Sequence, residues 1–362
     1  MASTAQLSDP RRVESDESAS AAAAILQRDA SHASPTPSYD LAWRLEKLRL
    51  HGGFTLAYST AVQAGLQYYS TSSGYVAFAR KWGFVHVLGD PVAAPDDRSA
   101  LLDGFLSEFP NAGFYQISPP TAEYLERRRF YINEMGVDTR IDLPAYHFNG
   151  KSKEFLRYAG NWLQRRGYRV EEKQFSDVSL SELRELDDRW KSTRKIKREV
   201  GFLNRPLYWN DERDVRRFFL FDPAGKIIAF VFFDPLYANG EVFGYATAFK
   251  RRDGAATNGY TEPGIMRTAL ESFKRENRSV LRLGLSPLAN IENRAFRKNW
   301  FLHHSFRYGF RSWWVNRYFY NLQGHASFKR RFCGVEEKTY FASPSISNDL
   351  RIAGMLRLAG II

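Results

Sequence analysis

Leu41, Leu45 and Leu48 recur at helical spacing behind Asp40, a residue suited to cap a helix, until Gly52-Gly53 ends the run. The rhythm then shortens. Segments 66–70, 74–82 and 84–88 are brief, rich in aromatic and β-branched residues and punctuated by Gly and Ser, which predicts three strands. Helical spacing returns over 99–109 and 121–130, with strands at 113–117 and 137–143. That order is a βαβ-type unit with an antiparallel meander at its front. A second part opens with a helix over 153–166, stopped by Gly167, a strand over 168–174 and a long charged helix from about 180 to 198. Strands at 218–221, 227–233 and 242–249 follow, joined by Asp222-Pro-Ala-Gly225 and Ala238-Asn-Gly240 turns. A helix over 264–276 and a strand over 280–285 complete a strand–loop–helix–strand unit, and helical segments around 291–300 and 312–320 lead to the C-terminus. No sequence repeat is visible, yet the two parts repeat an order of elements. The pattern predicts an α/β (α+β) tandem fold of two mixed-sheet halves, 39–149 and 150–345, with the active site in the second and a short segment over 346–362.

Residues 1–38 break the periodicity. They are rich in Ala, Ser and Asp, carry Pro35 and Pro37, and read as a disordered tail with at most a transient helix over 19–27. No stretch reaches the roughly 18 apolar residues of a membrane-spanning helix, and no apolar segment of signal-peptide length opens the chain, so a cytoplasmic protein is expected. One cysteine, Cys333, excludes an internal disulfide and a Cys-based zinc site; it is expected to be a small buried hydrophobe.

Charge narrows the partners. The net charge is +12, and because residues 1–38 are net acidic the surplus lies in the remainder. It favours polyanions: nucleic acid, anionic lipid headgroups or a phosphorylated cofactor. The stretch 294–332 holds nine Lys and Arg residues, among them Arg307, Arg311 and Arg317, and no Asp or Glu, with Trp300, Tyr308, Trp313, Trp314, Tyr318 and Tyr320 threaded between them. Interleaved cations and aromatics suit an exposed nucleic-acid end or a lipid headgroup at an anionic surface. They equally suit a basic helix whose aromatics are core. The 15% aromatic share cannot separate these readings.

Arg251-x-x-Gly254-x-Ala256, between a strand and a helix, matches the loop with which GNAT acyltransferases hold the pyrophosphate of acyl-CoA; backbone N–H groups cradle an anion where Gly permits close approach. There is no His-Glu-x-x-His, Gly-x-Ser-x-Gly or Walker loop. His303 and His304 are adjacent but point different ways, so no metal is expected.

Four motifs, in order, resemble the catalytic domain of the lysylphosphatidylglycerol synthase (multiple peptide resistance factor) family. They are Gly89-Asp90-Pro91-Val92; Asp188-Arg189-Trp190-Lys191 with Lys197-Arg198-Glu199-Val200-Gly201-Phe202; Leu283-Gly284-Leu285-Ser286-Pro287-Leu288; and Tyr320-Asn321-Leu322-Gln323-Gly324 running to Phe328-Lys329-Arg330-Arg331-Phe332, closed by Tyr340. The resemblance implies a tandem GNAT-like fold, here without the family's transmembrane flippase. It further implies transfer of an amino acid from aminoacyl-tRNA to a lipid headgroup or small hydroxyl or amine acceptor, with peripheral membrane contact, no cofactor and no DNA partner. It implies Lys329 in the catalytic centre, stabilising developing negative charge or relaying a proton. Glu199 serves as base or amine clamp, or as the salt-bridge partner of a neighbouring cation. Arg251 and Arg252 meet phosphate or the donor ester, Asn321 and Gly324 shape the pocket, and Arg330 and Tyr340 contact substrate. Arg307, Arg311, Trp313, Trp314 and Arg317 meet tRNA or lipid. The family's Met-Asp at the start of the helix after the loop is Met266-Arg267 here; a cation beside a donor ammonium repels it and favours an acidic or small neutral amino acid. A CoA-dependent N-acyltransferase and a non-catalytic nucleic-acid- or membrane-binding protein are the rival readings.

Overall fold

Asp40 caps the first helix as the sequence predicts: its Oδ1 accepts the Trp43 N–H at 2.9 Å, opening α1 (Leu41–His51). The computed structural model describes residues 39–254, 259–347 and 349–362. The expected disordered tail and the Ala255-Ala256 end of the Gly-rich loop lie outside these residues.

After α1 come a short α2 (Ala57–Val62), strands β1 (Gln67–Thr71), β2 (Gly74–Lys81), β3 (Phe84–Leu88) and β4 (Val92–Ala93), α3 (Arg98–Glu108), β5 (Gly113–Ile117), α4 (Pro119–Arg127) and the long β6 (Tyr131–Asp142). The chain continues through α5 (Glu154–Arg165), β7 (Arg169–Glu172), α6 (Leu180–Ser192), β8 (Arg216–Phe221), β9 (Ile227–Ala238), β10 (Glu241–Arg252), α7 (Thr261–Arg275) and β11 (Val280–Pro287). It ends with α8 (Trp300–Arg311), a π-helical turn (Val315–Phe319), α9 (Leu322–Arg330), β12 (Val335–Ser343) and α10 (Asp349–Leu358).

The twelve strands of the described residues form one mixed sheet, ordered β1-β2-β3-β5-β12-β6-β11-β10-β9-β8-β7, with β4 paired to β2. Two pairings are parallel, β3 with β5 and β10 with β11, each bridged by a helix, as the two expected strand–helix–strand units require. Strand alternation sends neighbouring side chains to opposite faces. Phe218 and Leu220 pack under α5 and α7, with Leu163, Met266 and Phe273; Phe219 packs with Phe230, Phe232 and Phe249 under Leu183 and Leu186 of α6. The expected α/β fold with a mixed sheet is the fold found, the sheet running unbroken through both parts of the chain.

Several boundaries differ from expectation. The charged helix stops at Ser192, because the Ser192 and Thr193 hydroxyls turn back onto the carbonyls of Arg189 and Trp190 at 2.7 Å. The segment expected to be helical at 291–300 is irregular; Asn290 and Asn293 have positive φ, and Asn299 caps a helix that starts at Trp300. Cys333 is exposed rather than buried, in the left-handed turn that ends α9. Strand β12 was not foreseen. Its first half, Val335-Glu336-Glu337-Lys338, looks like loop, but Glu337 pairs with Arg140 and Arg282, and Lys338 with Glu134. Those partners are remote in sequence, so no local pattern announces them.

Candidate active site

The parallel pairing of β10 with β11 covers Gly244–Ala246 against Val280–Arg282, and among the described residues no further pair joins the two strands beyond it. From Thr247 onward β10 has no β11 partner among the described residues, which leaves a gap in the ladder between the two strands. Opposite the gap, β11 shifts register against β6 between Arg282 and Leu285, and Gly284 takes φ +78°, a conformation that favours glycine. Lys329 of α9 enters here. It is 2% exposed, and its Nζ donates to the carbonyls of Gly284 and Leu285 at 2.7 Å each.

The surroundings set its protonation. Burial first, then the charge of Lys250, hold Lys329 well below the usual lysine range, against the opposing pull of Asp138 and Glu262. Two N–H bonds to carbonyls leave a neutral amine one lone pair that can accept a proton. His325 lies one turn earlier on the same face of α9. Burial, with Lys329 and Lys250 nearby, holds its imidazole well below the usual range, and its buried Nδ1 has no hydrogen-bond partner among the described residues. Lys250 of β10 bonds Glu262 at the start of α7 at 2.6 Å and lies 4.8 Å from the Phe328 ring centre. Asp138 accepts from Thr55 and, at 3.3 Å, from Arg282, which also holds Glu337 at 2.7 Å. A buried amine therefore stands at the gap in the ladder, with an imidazole and two carboxylates near enough for their charges to be felt there.

The depressed Lys329 gives a stability test. Between its folded value and the ordinary 10.5 the unfolded chain carries a proton that the folded one lacks. Stability therefore rises with pH across that window, by at most about 1.4 kcal/mol per unit, and the contribution is fully present above 10.5. Lys329→Met removes it. Denaturant titrations at several pH values should show wild type gaining on the variant as pH rises; a difference that does not change with pH would mean the amine stays charged.

Other anticipated residues fall elsewhere. Asn321 and Gly324 form the start of α9: Asn321 Oδ1 accepts the Gly324 N–H at 3.0 Å and caps the helix, and a Cβ at 324 would lie 2.4 Å from the Asn321 amide. Arg251 does not face a phosphate. Its buried guanidinium bonds Asp187 and, at 2.7 Å, Glu199, and sits 4.0 Å over the Trp190 ring. Glu199 is the salt-bridge partner of Arg251 and, at 3.5 Å, Lys191, which occupies the carboxylate proposed as base. Arg252 is exposed at the strand end. Arg267 is corrected too: it bonds Glu271 at 2.9 Å and Asn161 at 3.1 Å against α5, so the argument that it repels a donor ammonium falls. Tyr340 lies in the core, its ring 5.1 Å from Phe296. Arg330 pairs with Glu336 at 2.8 Å on the surface. Arg307 is half-buried, whereas Arg311, Trp313, Trp314 and Arg317 are exposed together on α8 and the turn after it. The Gly89-Asp90-Pro91 turn is scaffolding: Asp90 accepts the Ser118 N–H at 2.9 Å at the start of α4. Lys250, Glu262, His325, Asp138 and Arg282 went unrecognised. Gly284 inside an apolar strand was the one signal pointing to them, since strand glycines mark close backbone approach. Among the described residues no His, Cys, Asp or Glu cluster could hold a metal.

The chain is thus a single mixed α/β sheet with two helix-bridged parallel strand pairs, and the Lys329 amine is buried beside the second of them. Residues 46–343 match the family described as phosphatidylglycerol lysyltransferase, C-terminal, and the chain belongs to that family. It is 29% identical over 253 residues to the phosphatidylglycerol lysyltransferase of Bacillus subtilis (strain 168), covering 68% of this chain and 28% of that protein, so the chain spans little more than a quarter of its relative's length. The structure of L-PGS from Bacillus licheniformis superposes with a TM-score of 0.71 at 22% identity, over 90% of this chain and 97% of that one. The C-terminal domain of a lysylphosphatidylglycerol synthetase homologue from Agrobacterium fabrum gives 0.71 at 19%, over 89% and 99%. FemX shares the fold more distantly, at 0.52 and 8% identity, over 90% and 99%. No described helix is long and apolar enough to cross a membrane.

Proposed function

We propose that the chain moves an aminoacyl group from aminoacyl-tRNA to a hydroxyl of a phosphatidylglycerol-like headgroup, in the gap between β10 and β11. The observation that carries the reading is Lys329, a buried amine held below its ordinary range where β11 turns through Gly284, in a chain of this family. An aminoacyl ester is already activated, so the site must orient ester and hydroxyl, stabilise an oxyanion and move one proton. The acceptor oxygen attacks the ester carbonyl, and the new carbon–oxygen bond replaces the bond to the tRNA ribose. The proton leaves the acceptor hydroxyl for the Lys329 amine and passes to the departing ribose oxygen. N–H groups of β10 beyond Ala246 suit the oxyanion. Glu262 suits the donor's ammonium, which competes with Lys250 for it.

The CoA rival loses its main support, because the arginine of its pyrophosphate loop is buried on Asp187 and Glu199. Without Arg267 at the site, nothing argues against a basic amino acid, and lysyl-tRNA is the first donor to try. Radiolabelled lysyl-tRNA and phosphatidylglycerol vesicles should yield labelled lipid, abolished by ribonuclease and unaffected by CoA. Ribonuclease-resistant transfer that requires acyl-CoA would overturn the reading.

A further inference from the structure

Helix α8 keeps Leu302 and His303 inside and turns Trp300, Phe301, His304, Tyr308 and Arg311 outward. At 100° per residue these five fall on one face of the helix. Trp300 is 68% exposed and Tyr308 73%. The turn that follows adds Trp313, Trp314, Tyr318 and Phe319, all more than half exposed, so seven large aromatic side chains crowd twenty residues of surface, with the His304 ring tilted against Trp300 at 4.2 Å. Single exposed aromatics need no explanation; a cluster of this size does.

The turn is hydrogen-bonded into its frame. Asn316 Nδ2 donates to the carbonyls of Phe310 and Ser312 at 2.8 Å, Gln323 Nε2 donates to Phe310 at 2.9 Å, and Lys195 Nζ reaches the Asn316 carbonyl at 2.5 Å. These bonds tie the π-helical turn to the end of α8, the start of α9 and Lys195. The cations around the rim are Arg307, Arg311 and Arg317, and residues 294–332 contain no acid.

We propose that this face is a docking surface for an anionic lipid bilayer, with the Trp, Tyr and Phe rings seated at headgroup depth and the arginines on lipid phosphates. Trp and Tyr concentrate where one end of a side chain is wet and the other apolar, and basic amphipathic helices lie in that plane. An RNA surface is dominated by phosphate contacts. Here aromatics outnumber the flanking arginines by more than two to one, and Phe301 and Phe319 offer no polar atom. Helix α9, which carries Lys329, starts three residues after the turn, so docking also sets the height of the gap above the lipid. The surface stands independently of the transfer reaction.

The test is binding of the whole chain to vesicles without tRNA. Sedimentation should show strong retention on phosphatidylcholine vesicles containing phosphatidylglycerol and weak retention on phosphatidylcholine alone, and brominated acyl chains should quench tryptophan fluorescence. Trp313→Ser with Trp314→Ser and Phe319→Ser should abolish retention with the melting temperature unchanged. Arg307→Gln with Arg311→Gln and Arg317→Gln should weaken it on the order of 100-fold and remove the preference for anionic lipid. No quenching by brominated lipid, or full vesicle binding by the aromatic variant, would overturn the proposal. Loss of binding to an RNA hairpin with vesicle binding intact would assign the face to nucleic acid instead. Transfer to a water-soluble glycerol phosphate acceptor reports on the chemistry separately, so the two readings can fail apart.

Discussion

Lys329→Ala should lower turnover on the order of 10²-fold or more, with little change in KM for either substrate, because an amine that relays the proton acts chiefly in the transition state. Alanine also strands the Gly284 and Leu285 carbonyls, at about 1–3 kcal/mol, so part of any loss in that variant could come from unfolding. Lys329→Met strands the same carbonyls but leaves no cavity, so it is the milder test of the amine. It keeps most of the volume and the apolar stem, should remain folded by circular dichroism, and should be as inactive as the alanine variant. The wild-type rate should fall on the acidic side as the buried amine becomes protonated, with a midpoint well below 10.5, since burial depresses it. A methionine variant with near-normal turnover would remove Lys329 from the mechanism.

Arg205→Met should cost about 3–5 kcal/mol of stability, the largest loss expected from a single side chain outside the gap. Arg205 has no exposed surface; it bonds Asp234 at 2.8 Å and Glu212 at 2.9 Å and lies 5.0 Å over the Tyr58 ring. It fastens the connection between α6 and β8 to β9 and α2. Its removal leaves two buried carboxylates without their ion-pair partner. Burial already raises Glu212, and in the variant only the charge of Arg217 still opposes that. The folded variant then binds protons more tightly than its unfolded chain, so its deficit should shrink as pH falls toward the raised carboxylate value. Urea unfolding at neutral and mildly acidic pH reads both effects. A neutral-pH loss under about 1 kcal/mol would mean the cluster contributes no net stability.

Much of this was legible in the sequence, and the failures share a cause. The β10–α7–β11 unit could be read because its turns and periodicities are local, and Lys329 could be reached through the run from Tyr320 to Phe332. Arg251 and Glu199 were open to misreading because a sequence displays charge and hides partners: Asp187, which holds Arg251, is 64 positions away. Arg267 misled in the same way, its side chain spent on Asn161 of α5. The aromatics of α8 were undecidable for a different reason. With the helix assigned to 291–300, no projection of 300–311 could be drawn, and one unrecognised cap at Asn299 concealed which rings face outward.

The seat of β12 between β5 and β6 fixes when synthesis can yield a finished molecule. Both neighbours leave the ribosome early, yet each keeps a raw edge until the segment Val335–Ser343 emerges, roughly 10–40 s after β6 at ordinary elongation rates. During that interval two unpaired strand edges stand ready to join the wrong chain. Slow translation over the second half, or a nascent-chain chaperone, should therefore matter more for this protein than for one whose strands pair in the order they are made.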